Sequence, residues 1–127
     1  MLGTKVAAAT LGVKSLEVAR KFYEGKVGLK LAVSPETGAL SYQTGGAPLF
    51  IYESGYAGTN QATAVTWNVG AELDALIDGL KAKGVTFEHY DLPQVTRKGD
   101  VHTSGTRKVA WFKDPDGNIH ALMNAAE

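Results

Sequence analysis

Apolar residues recur along this chain with two different periods, and the changes of period mark out its elements. From Val6 to Val13 they alternate well enough to predict a β-strand. Leu16, Ala19, Phe22 and Tyr23 then fall at helical spacing, with Ser15 placed to cap the first turn and Gly28 to stop the helix. Three short strand-like runs follow, Leu29–Val33, Leu40–Thr44 and Leu49–Glu53, with Glu36-Thr37-Gly38 and Gly45-Gly46 as turns. The order then starts again. Ala62 to Val69 reads as a strand. Leu73, Leu76, Ile77 and Leu80 lie at i, i+3, i+4 and i+7, and Lys81-Ala82-Lys83-Gly84 closes the helix with basic residues and a glycine. Val85–Tyr90, Lys108–Phe112 and Ile119–Met123 are the strand-like runs that complete the second series.

The two series are an internal repeat at an offset of 56 residues. Leu11-Gly12-Val13 aligns with Trp67-Asn68-Val69, Gly28-Leu29-Lys30 with Gly84-Val85-Thr86, and Ala8 with Ala64. The pattern is βαβββ twice, an α+β arrangement in one domain over 1–127, with a first module over about 1–56 and a second over about 60–127. The second module differs by a long polar stretch, about Asp91 to Thr106, read either as a binding loop or as a plain connection. Before the last strand, Asp114-Pro115-Asp116-Gly117-Asn118 has the chemistry of a tight turn: Asp114 caps its own backbone, Pro115 fixes φ and Gly117 supplies a positive φ.

Composition narrows the chemistry. The 127 residues include no cysteine, which removes thiol catalysis, cysteine zinc sites and iron–sulfur clusters. Lys+Arg and Asp+Glu are both 13, so charge gives no reason to expect nucleic acid or an anionic membrane as partner. The basic pairs Arg97-Lys98 and Arg107-Lys108 read as solvated charge. Met1 to Thr10 is too short and too weakly apolar for a signal peptide or a membrane span, and a cytoplasmic protein is expected.

Two motifs carry a resemblance. Leu11-Gly12-Val13-Lys14-Ser15-Leu16, with Ala19-Arg20-Lys21-Phe22-Tyr23 and Val27-Gly28-Leu29, resembles the opening of vicinal-oxygen-chelate domains, the glyoxalase, bleomycin-resistance and extradiol-dioxygenase superfamily. Val109-Ala110-Trp111-Phe112-Lys113-Asp114-Pro115-Asp116-Gly117-Asn118 resembles their closing strand and turn. The resemblance implies two βαβββ modules whose strands curl into a cup-shaped mixed sheet, with helices outside, the ligand within, and pairing of chains as a homodimer.

Enzymes of the superfamily hold a divalent metal in the cup on His and Glu or Gln side chains. At the positions this resemblance assigns to them stand Ala8, Ala64 and Ala121, with Phe50 and Ile51 near the fourth. Methyl groups and hydrocarbon rings offer a metal no lone pair, so no metal site and no cofactor are expected. Glu53 is the one carboxylate near the fourth position. His89, His102 and His120 form no metal-ligand spacing. His120, alternating with Ala121, is expected to face the helices as a structural histidine. His102 reads either as a surface histidine or as one reaching the mouth of the cup.

If Ala8, Ala64 and Ala121 face into the cup, so do Thr10, Thr66, Asn68 and Met123, while Leu11, Val13, Trp67 and Val69 build the core. Trp111 then faces the cup, with Tyr42 and Tyr52 as further aromatic candidates. The expected ligand-binding set is Thr10, Tyr42, Tyr52, Asn68, Trp111, Met123 and His102. It describes a pocket for a planar or apolar organic molecule fixed by a few hydrogen bonds. Sequestration of such a molecule without chemistry, as the bleomycin-resistance branch of the superfamily does, is the leading reading. A glyoxalase, lyase or dioxygenase-like enzyme with a non-standard metal site near Glu53 and His102 is the alternative. A filled cup serving contact with another protein is a third.

Overall fold

The computed structural model describes residues 1–32 and 39–126; Val33 and the expected turn Glu36-Thr37-Gly38 lie outside them. The chain divides into two compact units, Met1–Thr59 with Pro115–Asn118, and Asn60–Asp114 with Ile119–Glu127.

The first unit contains β1 (Ala9–Val13), α1 (Leu16–Gly25), β2 (Lys30–Leu31), β3 (Ala39–Gln43) and β4 (Leu49–Glu53). Ser15 caps α1 as expected, its hydroxyl accepting the Val18 N–H at 3.3 Å. The sheet runs β1-β4-β3-β2, with β1 and β4 parallel and the other pairs antiparallel. β1 is shorter than the expected Val6–Val13, because the five residues of β4 pair only with Ala9–Val13 and Val6 is left exposed. Alternation puts Leu11, Val13, Leu40, Tyr42, Leu49 and Ile51 on one face, all buried together with Ala19, Phe22 and Tyr23 of α1. The opposite face, with Thr10, Phe50 and Tyr52, is exposed.

The second unit contains β5 (Thr63–Asn68), α2 (Leu73–Ala82), β6 (Phe87–Glu88), β7 (Thr96–Lys98), β8 (Val101–Ser104), β9 (Arg107–Lys113) and β10 (Ile119–Met123). Its strand order is β5-β10-β9-β8-β7, with β5 parallel to β10. One half of β9 pairs with β8, the other with β6. Gly28 and Gly84, aligned in the repeat, share a positive φ of 83° and 91° after their helices.

Two expectations need correction here. The polar stretch Asp91 to Thr106 carries the β7–β8 hairpin, whose strand formers are the polar Thr96 and Thr103 and so leave no apolar alternation to read. In α2 only Leu73 and Ile77 of the apolar stripe are buried, while Leu76 is exposed, so the packed face is narrower than the pattern implied.

The covered face of this sheet is organised around His120, which is fully buried. Phe112 stacks on it with ring centroids 4.8 Å apart and planes at 3°, and Trp67 lies at 6.2 Å and 19°. The Trp67 Nε1–H donates to His120 Nδ1 at 3.0 Å, so the ring proton sits on Nε2. This is the structural histidine expected from alternation.

The closing turn belongs to the first unit. The Asn118 side-chain amide donates to the Gly12 carbonyl at 2.8 Å, and the Lys14 N–H donates to Asp116 Oδ1 at 3.3 Å. Gly58, at φ 69°, lies against the Asp116 carbonyl so closely that a Cβ there would be 1.7 Å from the oxygen. Any other residue at 58 would clash with backbone. Asp116 thus belongs to turn architecture, as the turn chemistry predicted.

Burial lowers the pKa of His120 to about 4, against a smaller upward pull from Asp114. The unfolded chain therefore takes up a proton near pH 6.5 that the folded chain resists until about pH 4. The stability this histidine contributes is full above pH 6.5 and is lost as pH falls toward 4, by up to about 3 kcal/mol. His120→Phe keeps a ring on Phe112 and leaves the Trp67 N–H without its acceptor. It is expected to lower stability at pH 7.5 by about 1–3 kcal/mol and to narrow the gap to wild type at pH 5, read from urea unfolding at both pH values.

Candidate functional site

The open face of the second unit's sheet follows from its register. Ala121 of β10 lies between Trp111 of β9 and Thr66 of β5, and Met123 lies between Val109 and Asn68. These six share the face opposite Phe112, His120 and Trp67. The β5–β10 register shifts by one residue between Ile119 and His120, which sets Thr63 opposite Ile119. Thr63 thereby reaches the Trp111 side, and its hydroxyl accepts the Trp111 Nε1–H at 3.1 Å.

β8 extends this face. His102 pairs with Val109, so its ring falls on the same side as Trp111. The two rings meet edge to face, with centroids 4.8 Å apart and planes at 76°. Tyr90 closes the group, at 5.2 Å and 78° from Trp111 and 6.1 Å from His102. The Tyr90 backbone N–H donates to His102 Nε2 at 3.0 Å. His102 is buried at 2% exposure, where the sequence had left a surface position open.

Behind this group a polar cluster ties the hairpin down. Asp100, between β7 and β8, accepts from Lys81 of α2 at 2.7 Å and lies 2.8 Å from His89 Nε2. Lys81, and then His89, hold the Asp100 carboxyl below the usual carboxylate range, against a desolvation cost.

Of the residues expected at the site, Asn68, Trp111, Met123 and His102 share this open face. Thr10 and Tyr52 lie on the open face of the first unit's sheet, beside Phe50, which is 41% exposed. Tyr42 does not. It pairs with Leu49 on the covered face, is fully buried, and donates its hydroxyl proton to Glu24 Oε2 at 2.8 Å. Burial, and then that carboxylate, push the Tyr42 phenol well above its ordinary range. The reason is parity: Tyr42 stands two residues from the core residue Leu40 and must share its face. Tyr90 went unnoticed in the sequence, although the same parity, counted from Phe87 through Glu88, puts it opposite the core.

The positions that the resemblance assigns to a metal do not fit one. Ala8, Ala64 and Ala121 carry no donor atom, Phe50 offers a hydrocarbon ring, and Ile51 is buried on the covered face. Among the described residues no group of three or more His, Cys, Asp or Glu is arranged to hold a metal ion. Glu53 is exposed at the end of β4. Among the described residues, no helix is long and apolar enough to cross a membrane.

Residues 5–122 match the family model of the Glyoxalase/Bleomycin resistance protein/Dioxygenase superfamily. The chain belongs to this superfamily. Solved structures with the fold include a bleomycin-binding protein complexed with bleomycin, 18% identical, covering 98% of this chain and 100% of that one with a TM-score of 0.71. TnmS3, an antibiotic binding protein from Streptomyces sp. CB03234, is 23% identical over 96% of each chain, with a TM-score of 0.66. The fosfomycin resistance protein FosX from Listeria monocytogenes is 17% identical over 98% and 94%, with a TM-score of 0.70. No curated protein matches the chain. In this superfamily member the α+β architecture of mixed sheets with one helix per unit is the family's own.

The placement of Tyr42 makes it a stability residue. Tyr42→Phe is expected to cost about 1 kcal/mol through the lost hydrogen bond to Glu24, read by thermal and urea unfolding.

Proposed function

We propose that this protein binds a planar or apolar small organic molecule without a metal and acts by sequestration. The observation that carries the reading is Trp111, half-buried on an open sheet face with Tyr90 and His102 standing edge to face against it. An aromatic wall, a small floor residue in Ala121 and a few polar groups, Thr66, Asn68 and Thr63, suit a flat organic body. Stacking and desolvation need neither proton transfer nor metal. The antibiotic-binding and bleomycin-binding relatives support a ligand of this kind, and the alanines at the family's metal positions support binding without a metal ion. On the same reading the whole chain is one domain working in the cytoplasm, and it pairs as a homodimer, as the resemblance implies.

The test is a thermal-shift panel of aromatic compounds, bleomycin among them, on wild type and Trp111→Ala. At least one compound is expected to raise the wild-type Tm by several degrees, and Trp111→Ala to lose most of that shift. Elemental analysis of protein purified without chelator is expected to find less than about a tenth of an equivalent of any divalent ion. A full equivalent would favour a metal-dependent enzyme over sequestration.

A further inference from the structure

His102 carries a buried polar atom with no partner. Its Nδ1 is shielded from solvent and meets no hydrogen-bond partner among the described residues. Its other nitrogen, Nε2, accepts the Tyr90 backbone N–H at 3.0 Å. A nitrogen that accepts an N–H cannot bear a proton, so the proton of the neutral ring is on Nδ1. Nδ1 is therefore a donor lacking an acceptor, and buried groups of this kind are rare enough to need a reason. His120 shows the contrast within the same sheet, since its Nδ1 receives the Trp67 N–H.

The surroundings say what is missing. Tyr90 and Trp111 pack about the imidazole, and both are half-buried at the open face. Trp111 is tethered there by one hydrogen bond, to the exposed Thr63. A flat molecule that enters among these rings would meet aromatic surface on its body, with the unpaired N–H of His102 in the same group.

We propose that His102 Nδ1–H is the polar anchor of the ligand site, and that the ligand is a planar aromatic molecule bearing an exocyclic oxygen acceptor of the ketone or quinone type. This rests on the binding function proposed above. A ligand whose only polar group is a donor is disfavoured, because it would set two donors against each other. The purely hydrocarbon analogue would leave Nδ1 as it is.

The probes are 9-fluorenone and fluorene, of nearly equal outline, one with a carbonyl and one with a methylene. Both are titrated into wild-type protein with 15N-labelled histidine, followed by NMR. In the free protein His102 is expected to carry its proton on Nδ1. Fluorenone is expected to bind about tenfold more tightly than fluorene and to shift the Nδ1 resonance, which fluorene leaves in place. His102→Phe retains a ring but no donor, and is expected to equalise the two affinities. Equal binding by the wild type, fluorenone binding without a shift at Nδ1, or a free protein protonated at Nε2 would each overturn the proposal while binding itself stands. Binding of neither compound also overturns it, and leaves the wider binding function to the thermal-shift panel.

Discussion

A side-chain amide near the end of this chain holds a backbone oxygen near its beginning, and much else follows from that bond. β1 is an edge strand of its sheet, so among the described residues one side of its backbone has no strand beside it. Asn118 supplies the donor for the Gly12 carbonyl there, Asp116 takes the Lys14 N–H, and Gly58 lets the turn come close. The turn spans the five residues between the paired Lys113 and Ile119. With its length and anchorage set, the β9–β10 register is set too, and with it the face on which each side chain lies. One slip would send Trp111 into the core and Phe112 into the open.

That register separates two histidines by their work. His120 is enclosed by aromatic rings, accepts from an indole, and is kept neutral by burial. His102 accepts from a backbone amide and packs among a group of rings on the other face, its Nδ1 without a partner among the described residues. The two imidazoles are thus locked in opposite tautomers. The first completes a core, and the second leaves a polar atom over.

The sequence made much of this legible. The repeat predicted two βαβββ series; β4 and β10 came out with the bounds that alternation gave them, and Ser15 capped its helix. The placement of Thr10, Tyr52, Asn68, Trp111 and Met123 opposite the core followed from period two once the resemblance had said which face to start from. Tyr42 lies on the covered face, against expectation, because its two-residue distance from Leu40 decides its side and its aromatic character does not. The β7–β8 hairpin escaped because its strand formers are threonines, which carry no hydrophobic signal. The burial of His102 depends on that hairpin pairing with β9, a contact that no local pattern announces. Likewise the one-residue shift that brings Thr63 to Trp111 is a property of two strands meeting, and neither strand shows it alone.

The repeat also bears on what half of the chain could do alone. A chain ending at Thr59 would lack Pro115–Asn118, which the first unit counts as its own. Gly12 would lose its donor and Gly58 its neighbour. The first half of the sequence is therefore not self-sufficient: the unit it builds is closed by a turn drawn from the second half.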